Sequence, residues 1–272
     1  MIDLTTAASA NGQAIVMGGD TPIGRAVAIE LALQGMDVGI TWCDDESCAK
    51  EVVAEVRATG RWCERRRLDV GALGSDTGAL DVVDDLAAAL GGLTALVTIT
   101  TEPEPTDAMD LVPAQWRAGI DGLLLGPLIV AQRAARQMID RRVAGRIIHV
   151  TGAQEQSTAA GEAVTCAARN GLAAASRVMA VELAPHGITV NTVAPGEVAA
   201  PAIGQHGVDP WDASRPGVPA GRAAGAHEVA HAVVFLAGPA ADYVTGTSLV
   251  VDGGLSAVGT RHLERPASLS GL

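Results

Sequence analysis

Short apolar runs alternate along the chain with segments in which apolar residues recur about every four positions, as on one face of a helix. The apolar runs QAIVMGG, DVGITW, TALVTIT, RIIHVT, ITVNTVA and SLVVDGG predict strands, and the more polar RWCERRRLDV predicts a further strand that ends at Asp69. Helical periodicity predicts helices at 22–33, 47–58, 79–90, 113–140, 164–183 and 227–236. Because strands and helices alternate, the pattern predicts an α/β fold, a doubly wound parallel sheet with helices on both faces.

No internal repeat, low-complexity block or linker divides the chain, which predicts one domain over 1–254 and a tail over 255–272. Nineteen Lys and Arg face 31 Asp and Glu, and this net charge of -12 disfavours nucleic-acid or anionic-lipid partners. The first residues lack a basic segment followed by an apolar run, and no apolar run approaches ~18 residues, so we expect neither a secretory signal nor a membrane span. Four cysteines without framework spacing indicate free thiols and a cytoplasmic location.

A glycine-rich loop joins the first predicted strand to the first predicted helix. Gly18, Gly19 and Gly24 give the spacing G-x-x-x-P-x-G. Glycines there allow a tight turn and the close approach of a pyrophosphate to the helix N-terminus. Asp20 is a candidate helix N-cap, and its charge also competes with a phosphate for the helix dipole.

The stretches MGGDTPIGRA, GRIIHVTG, VMAVELAPHGITVNTVAPG and YVTGTSLVVDGG resemble the short-chain dehydrogenase/reductase family over nearly the whole length. The resemblance implies a Rossmann-like sheet of seven strands, a nicotinamide cofactor and an oligomer, often a homotetramer. It implies cofactor contacts from the glycine loop, the ends of strands two to four and the segment after strand six. The positions are Gly18, Asp20, Ile23, Gly24, Trp42, Asp69, Val70, Thr98, Pro195, Gly196 and Val198.

The four catalytic residues of the family do not stand at their expected places. Matching the family's motifs puts Leu123 at its asparagine, Gly152 at its serine, Thr165 at its tyrosine and Arg169 at its lysine. The chain has one tyrosine, Tyr243, and one lysine, Lys50, so no other alignment restores a Tyr-x-x-x-Lys pair. Since the lysine normally lowers the pKa of the tyrosine, the usual proton relay is absent. This favours a non-catalytic binding protein, such as a partner in a homo- or hetero-oligomer with subunits of the same fold.

The alternative is an NAD(P)-dependent oxidoreductase or other pocket enzyme that uses different groups. Arg169 would then be the electrophile, with Glu155 or Cys166 as the base. Three cofactor positions also depart from the family: T-I-T-T at Thr98–Thr101 stands where the family has N-A-G, Pro22 replaces the middle glycine, and Ala200 replaces a threonine. Strand two ends without a basic residue for a 2′-phosphate and with acidic residues at 44–46, so NAD is favoured over NADP if a dinucleotide binds.

Two further patterns concern metals and assembly. His227, Glu228 and His231 spell H-E-x-x-H, a zinc-ligand spacing, but the segment coincides with an ordinary helix of the family, and the only later His or Glu are His262 and Glu264. We therefore predict no metal site.

The helices at 113–140 and 164–183 are where tetramers of the family associate, and the alanines of these helices would allow close packing there. These are Ala134, Ala135, Ala167, Ala168 and Ala173.

Overall fold

A parallel sheet of seven strands forms the centre of the computed structural model, which describes residues 12–72, 80–199 and 214–258. Its strands are β1 (Gln13–Met17), β2 (Asp37–Trp42), β3 (Cys63–Arg67), β4 (Ala95–Thr98), β5 (Arg146–Val150), β6 (Thr189–Pro195) and β9 (Ser248–Val251). Their order is β3-β2-β1-β4-β5-β6-β9. Two short strands, β7 (Val198–Ala199) and β8 (Ala224–Gly225), pair outside this sheet. The seven-stranded, doubly wound prediction is confirmed.

Helices cover both faces of the sheet. They are α1 (Pro22–Leu33), α2 (Glu46–Ala58), α3 (Asp81–Ala89), α4 (Pro113–Ile120), α5 (Gly126–Asp140), α6 (Ala163–Leu183) and α7 (Ala226–Ala237). One core packs α1, α2 and α7 against the sheet, and the other packs α3, α5 and part of α6 against the opposite face. The five central strands are buried on both sides, which explains why their sequences are continuous apolar runs rather than alternating ones, whereas the edge strands β3 and β9 are only partly buried.

The region predicted as one long helix is interrupted. A π-helical turn at Asp121–Leu125 separates α4 from α5, and it contains Gly122 and Leu123. Such turns insert one extra residue into a helix and are frequent at functional sites. The turn therefore changes the direction in which the following side chains point.

The predicted alanine surface for assembly is wrong at four of its five positions. Ala134, Ala135, Ala168 and Ala173 are buried within the chain, and Ala167 alone is exposed. The periodicity of α5 and α6 places these small residues against the sheet or neighbouring helices instead of on the outer face.

The sheet order creates a crevice at the carboxyl ends of its central strands. The chain leaves β1 toward β2 and later returns to β4 on the other side of β1, so β1 and β4 flank a topological switch point. In open α/β sheets, ligands bind at this position. Among the described residues, no helix is long and apolar enough to cross a membrane.

Candidate functional site

Two adjoining cavities open along the carboxyl ends of the strands. The first, of about 430 Å³, reaches from the β1–α1 loop and the end of β2 to α4, the π turn and the start of α6. The second, of about 680 Å³, lies beside the ends of β5 and β6. Ile99, Thr100 and Glu102, in the segment after β4, line both cavities. The two cavities therefore meet at this segment.

The β1–α1 turn is held by its own backbone and by Thr21. Gly18 has φ +81°, and a Cβ there would overlap the Ile99 carbonyl, while a Cβ on Gly24 would overlap the Gly18 carbonyl. Thr21, and not Asp20, is the N-cap of α1, since its hydroxyl accepts the Gly24 N–H at 3.0 Å. Ile23 is the second residue of α1, so its N–H has no acceptor within the helix and faces the helix N-terminus.

Acidic groups gather around the end of β2. The Asp20 carboxylate accepts the Cys43 N–H at 3.1 Å, and both Asp20 and Asp44 line the first cavity. Burial, Asp44 and Asp69 raise the pKa of the Cys43 thiol to about 11, although Arg67 opposes them. The Arg67 guanidinium lies 5.9 Å from the centre of the Trp42 ring. Three carboxylates and one guanidinium thus surround this end of the cleft.

The positions of the family's catalytic residues divide between the two cavities. Leu123 and Thr165 line the first cavity, whereas Gly152 and Arg169 line the second. Thr165 is 4% exposed and Leu123 is 2% exposed. All four positions therefore line the cleft, two in each of its adjoining cavities.

Arg169 is a buried cation held by backbone carbonyls. Its Nη1 donates to the Val150 carbonyl at 2.8 Å and its Nη2 to the Thr100 carbonyl at 3.3 Å. Burial lowers the pKa of Arg169 from its ordinary value, while Glu102 opposes that shift. Its Nη2 also lies 3.6 Å from Glu102 Oε1, the one carboxylate in ion-pair contact with it among the described residues.

Glu102 is a site residue that the sequence interpretation missed. Its side chain is 42% exposed, and a Cβ added to Gly152 would lie 3.6 Å from its Oε1. The carboxylate is thus close to the place where the family carries its serine. Glu102 directly follows the Thr98–Thr101 segment, and the departure of that segment from the family's N-A-G was the signal that could have drawn attention to Glu102.

Neither of the two predicted bases lines either cavity. The Glu155 carboxylate accepts hydrogen bonds from the hydroxyls of Thr151 and Ser248. Burial and Glu162 raise the pKa of the Cys166 thiol, which disfavours its reactive thiolate. Glu102, which lines both cavities, is therefore the carboxylate in ion-pair contact with Arg169 among the described residues.

Most of the predicted cofactor positions line the cleft, and three do not. Gly18, Asp20, Trp42 and Val70 line the first cavity, and Ile23, Pro195, Gly196 and Val198 line the second. Gly24, Asp69 and Thr98 line neither cavity. Gly24 packs against the loop backbone, and Asp69 caps the Gly71 N–H at 3.0 Å. The Thr98 hydroxyl lies 2.7 Å from Nδ1 of the buried His149, and Ala200 lies outside the described residues.

Neither the tyrosine nor the lysine of the chain lies in the cleft. Tyr243 is fully exposed after α7, and Lys50 pairs with Glu46 on α2 at 3.2 Å. Both are absent from the linings of the two cavities. Within one chain, these side chains do not replace the missing pair.

The H-E-x-x-H segment forms the first turns of α7. Glu228 pairs with Arg222 and accepts the Gly225 N–H at 2.9 Å, and Arg222 is the main cause that lowers its pKa to about 2. Among the described residues, no group of three His, Cys, Asp or Glu side chains is arranged to hold a metal. His262 and Glu264 lie outside those residues.

The parallel sheet and the cleft at its switch point define a doubly wound α/β protein of the Rossmann-like class. Comparison with known proteins identifies its family. A family model described as "Enoyl-(Acyl carrier protein) reductase" matches residues 19–256. The chain is 30% identical to the "Short-chain dehydrogenase/reductase eriH" of Hericium erinaceus over 90% of its own length and 98% of that protein. The chain belongs to the short-chain dehydrogenase/reductase family.

Several relatives are named as oxidoreductases. The chain is 37% identical to "Uncharacterized oxidoreductase YohF" of Escherichia coli (strain K12), over 89% of this chain and 94% of that one. Among solved structures, the acetoin dehydrogenase YohF of Salmonella typhimurium is 33% identical with a TM-score of 0.85, covering 92% of this chain and 99% of that one. The family generally binds NAD(P), and its members typically assemble as dimers or tetramers.

Proposed function

We propose that this chain is an NAD-dependent oxidoreductase that interconverts an alcohol and a carbonyl compound, with Glu102 in place of the family's tyrosine. The observation that carries the proposal is the Glu102–Arg169 pair, which lies beside Gly152 where the two cavities meet. The names of the relatives support it, since acetoin is a hydroxyketone and the 3-oxoacyl reductase of Salmonella typhimurium, 32% identical, also has a carbonyl substrate.

The cleft has features suited to a dinucleotide. The Ile23 amide is available for a phosphate at the N-terminus of α1, and the turn of Gly18 keeps the backbone free of side chains there. Trp42 and Val70 would enclose the adenosine end, and Pro195, Gly196 and Val198 the nicotinamide end. When bound, NAD supplies a hydride acceptor.

Charge around the adenosine end favours NAD over NADP. Asp20 and Asp44 line the cavity, and Asp69 is close enough to Cys43 to raise the pKa of its thiol. An additional phosphate would meet these carboxylates, and among the described residues Arg67 is the one cation that lowers the pKa of the same thiol. The balance of charge is therefore unfavourable for a 2′-phosphate.

Glu102 accepts the hydroxyl proton of the alcohol in this proposal. Glutamate is among the side chains that serve as general bases, and this carboxylate is solvated enough to pass the proton on to water. Arg169 is a positioning residue, because its guanidinium is anchored to the Val150 and Thr100 carbonyls and holds one oxygen of Glu102 nearby. An arginine does not release its proton at neutral pH, so it is not the acid or base.

A second candidate is a non-catalytic binding protein that associates with subunits of the same fold. The observation in its favour is that the side chains of Leu123 and Thr165 do not act as a proton donor or acceptor and that Arg169 is fixed to the backbone.

For either function, the surface through which subunits associate would include the exposed Val178 and Val181 of α6. A cytoplasmic location, suggested by four free cysteines, stays part of the proposal.

The first experiment is a thermal-unfolding titration with NAD, NADH, NADP and NADPH. A ligand that binds the native state raises the melting temperature once its concentration exceeds its dissociation constant. We expect NAD and NADH to raise it and the phosphorylated forms to raise it less. No response to any of the four would contradict the proposed cofactor. Binding without turnover on any alcohol or ketone would instead favour the second candidate.

A further inference from the structure

A further groove, which we name the edge groove, lies between α2 and the edge strand β3. It has a volume of about 560 Å³, and its described lining residues are Lys50, Val53, Ala54, Arg57, Cys63, Glu64, Arg65 and Arg66. None of these residues lines either cavity of the cleft. The edge groove is therefore a part of the surface separate from the candidate functional site.

One carboxylate of α2 is shared by two cations of the edge groove. Oε1 of Glu46 lies 3.2 Å from Nζ of Lys50 and 3.1 Å from Nη2 of Arg65. Glu51 and Glu55, the other glutamates of α2, pair with α1 instead. A single negative charge therefore faces both of these cations.

A carboxylate of β3 is shared in the same way. Glu64 lies 3.7 Å from Nη2 of Arg57 and 3.3 Å from Nη1 of Arg66. Four cations and two carboxylates leave an excess of two positive charges here, in a chain whose net charge is -12. The edge groove therefore attracts anions, although the protein as a whole does not.

Two of the cations are held in place by contacts within the chain. Nη2 of Arg57 donates to the Cys63 carbonyl at 2.8 Å, and the Arg57 guanidinium lies 5.1 Å from the centre of the exposed Trp62 ring. Nη1 of Arg66 donates to the Arg65 carbonyl at 2.9 Å. A ligand that binds side chains already ordered loses less conformational entropy than one that has to order them.

The same contacts decide between two kinds of anionic ligand. An acidic peptide that adds as a strand beside β3 needs the backbone of β3 for its hydrogen bonds. The Cys63 and Arg65 carbonyls already accept hydrogen bonds from arginine side chains, which disfavours strand addition. Guanidinium groups bind phosphate oxygens through parallel N–H donors and need no backbone edge. The edge groove therefore favours a phosphate chain over a peptide.

We propose that the edge groove binds an oligophosphate, a chain of several phosphate groups. The phosphates neutralise the excess positive charge, and their oxygens accept hydrogen bonds from the guanidinium and ammonium groups that line the groove. The volume of the groove lies within the range of about 300–1,000 Å³ that is usual for small-molecule sites. Binding there does not depend on the proposed function, because the edge groove and the cleft share no lining residue.

Calorimetric titration of the wild-type protein compares inorganic triphosphate with inorganic phosphate. An ionic strength of about 50 mM keeps the screening of the groove's charges weak. We expect saturable binding of triphosphate and affinity for phosphate that is weaker by about tenfold or more. Equal affinities, or no saturable binding of triphosphate, would overturn the inference.

A charge-matched pair of double variants tests where triphosphate binds. The groove variant combines Lys50→Gln with Arg66→Gln, and the control combines Arg136→Gln with Arg177→Gln, at exposed positions of α5 and α6. We expect affinity to fall by about tenfold or more in the groove variant and to stay near the wild-type value in the control. Equal affinities of the two variants would overturn the assignment, because triphosphate would then bind elsewhere, as in the cleft.

A single substitution keeps the test available if the groove variant does not fold. The Lys50 side chain is 58% exposed, the largest exposure among the four cations, so Lys50→Gln should leave the fold intact. We expect Lys50→Gln alone to weaken triphosphate binding by about threefold. Affinity equal to that of the wild type would contradict the assignment.

ATP in place of inorganic triphosphate identifies the source of the phosphate chain. Trp62 is 52% exposed and contacts Arg57, so a nucleobase bound beside the groove would stack on its ring. A gain in affinity for ATP over triphosphate that Trp62→Ala removes would identify the ligand as a nucleotide. Without such a gain, the ligand is recognised through its phosphate chain alone.

The two proposals fail separately. If NAD binds and alcohols are oxidised but triphosphate does not bind, the edge groove is wrong and the proposed function stands. If triphosphate binds and the groove variant loses it, but no dinucleotide is bound or reduced, the edge groove stands and the oxidoreductase is wrong. The response of the melting temperature to NAD should be the same in the groove variant and in the wild type.

Discussion

Oε1 of Glu102 lies 3.6 Å from Nη2 of Arg169, at the boundary between the two cavities of the cleft. One partner comes from the segment after β4 and the other from α6, so the pair joins two elements that frame the candidate site. Because Arg169 also binds carbonyls at the ends of β4 and β5, this contact connects the site to the sheet.

Removal of the Arg169 side chain should destabilise the fold. In Arg169→Ala, the Val150 and Thr100 carbonyls lose their guanidinium donors and a buried void replaces the side chain. We expect the free energy of unfolding to fall by about 2–4 kcal/mol. Urea unfolding measures it, with the exposed Arg177→Ala on the same helix as the matched control. Equal stability of the two variants would show that Arg169 does not support the fold.

His149 should make stability depend on pH. It is fully buried, and burial lowers its pKa to about 4 from an ordinary 6.5. As the pH falls from 6.5 to 4, the unfolded chain binds a proton that the native protein excludes, so the free energy of unfolding decreases. Between pH 6.5 and pH 4 the free energy of unfolding should decrease by about 3 kcal/mol. Below about pH 4, where His149 is protonated in the native and unfolded states alike, this contribution should no longer change with pH.

The measurement for His149 is urea unfolding at several pH values in the wild type and in His149→Gln. The variant should lose this part of the pH dependence, because glutamine does not titrate and its amide can still bond to Thr98. His186→Gln, at an exposed position, should keep it. A pH dependence unchanged in His149→Gln would assign the effect to other groups.

Neutralisation of Asp44 should narrow the preference for NAD over NADP. Asp44 lines the first cavity and raises the pKa of the neighbouring Cys43 thiol. Asp44→Asn removes one negative charge from the region that a 2′-phosphate would approach. We expect the ratio of the NADP to the NAD dissociation constants to decrease about fivefold, which corresponds to about 1 kcal/mol. Titrations of the wild type and of Asp44→Asn with NAD and with NADP measure this ratio. Asp107→Asn, which removes a charge from an exposed loop, is the control. A ratio that is unchanged in Asp44→Asn would show that Asp44 does not determine the preference for NAD.

Restoration of the family's four residues should raise alcohol oxidation above the wild-type rate. A Cβ on Gly152 overlaps only the movable Gln154 side chain, so serine can be introduced there, and Thr165 faces the first cavity. We compare the wild type with a quadruple variant that carries Leu123→Asn, Gly152→Ser, Thr165→Tyr and Arg169→Lys. The triple variant that retains Thr165 is the control. A quadruple variant that binds NAD but is no faster than this control would show that the cleft does not support the usual relay.

The sequence carried enough information for the sheet but not for all of the site. Apolar runs buried on both faces and helices with a clear apolar stripe predicted β1, α1 and β2 at or near their observed bounds. The exception was 113–140, where one apolar stripe did not distinguish a continuous helix from one with a π turn. The same stripe did not reveal that Ala134 and Ala135 face inward.

Site residues that lie within the family's sequence motifs were easier to predict than those in loops that depart from these motifs. Gly18 and Pro195 lie in segments with family motifs, so their places in the cleft followed from resemblance. Glu102 lies in a segment that departs from the family pattern, and its proximity to Arg169 arises from tertiary structure. Glu155 is nearer to Gly152 in sequence, but its carboxylate turns toward Thr151 and Ser248.

The role of Glu102 is tested most directly by NADH formation from a panel of neutral alcohols, in the wild type and in Glu102→Gln. The variant keeps the size of the side chain and removes the base, so kcat should fall by about 100-fold or more while the dissociation constant of NAD is unchanged. Glu182→Gln, exposed on α6, should retain the wild-type rate. Saturable NADH formation that Glu102→Gln abolishes is the predicted result. Equal rates in Glu102→Gln and the wild type, or no NADH formation by the NAD-bound wild type, would contradict the account.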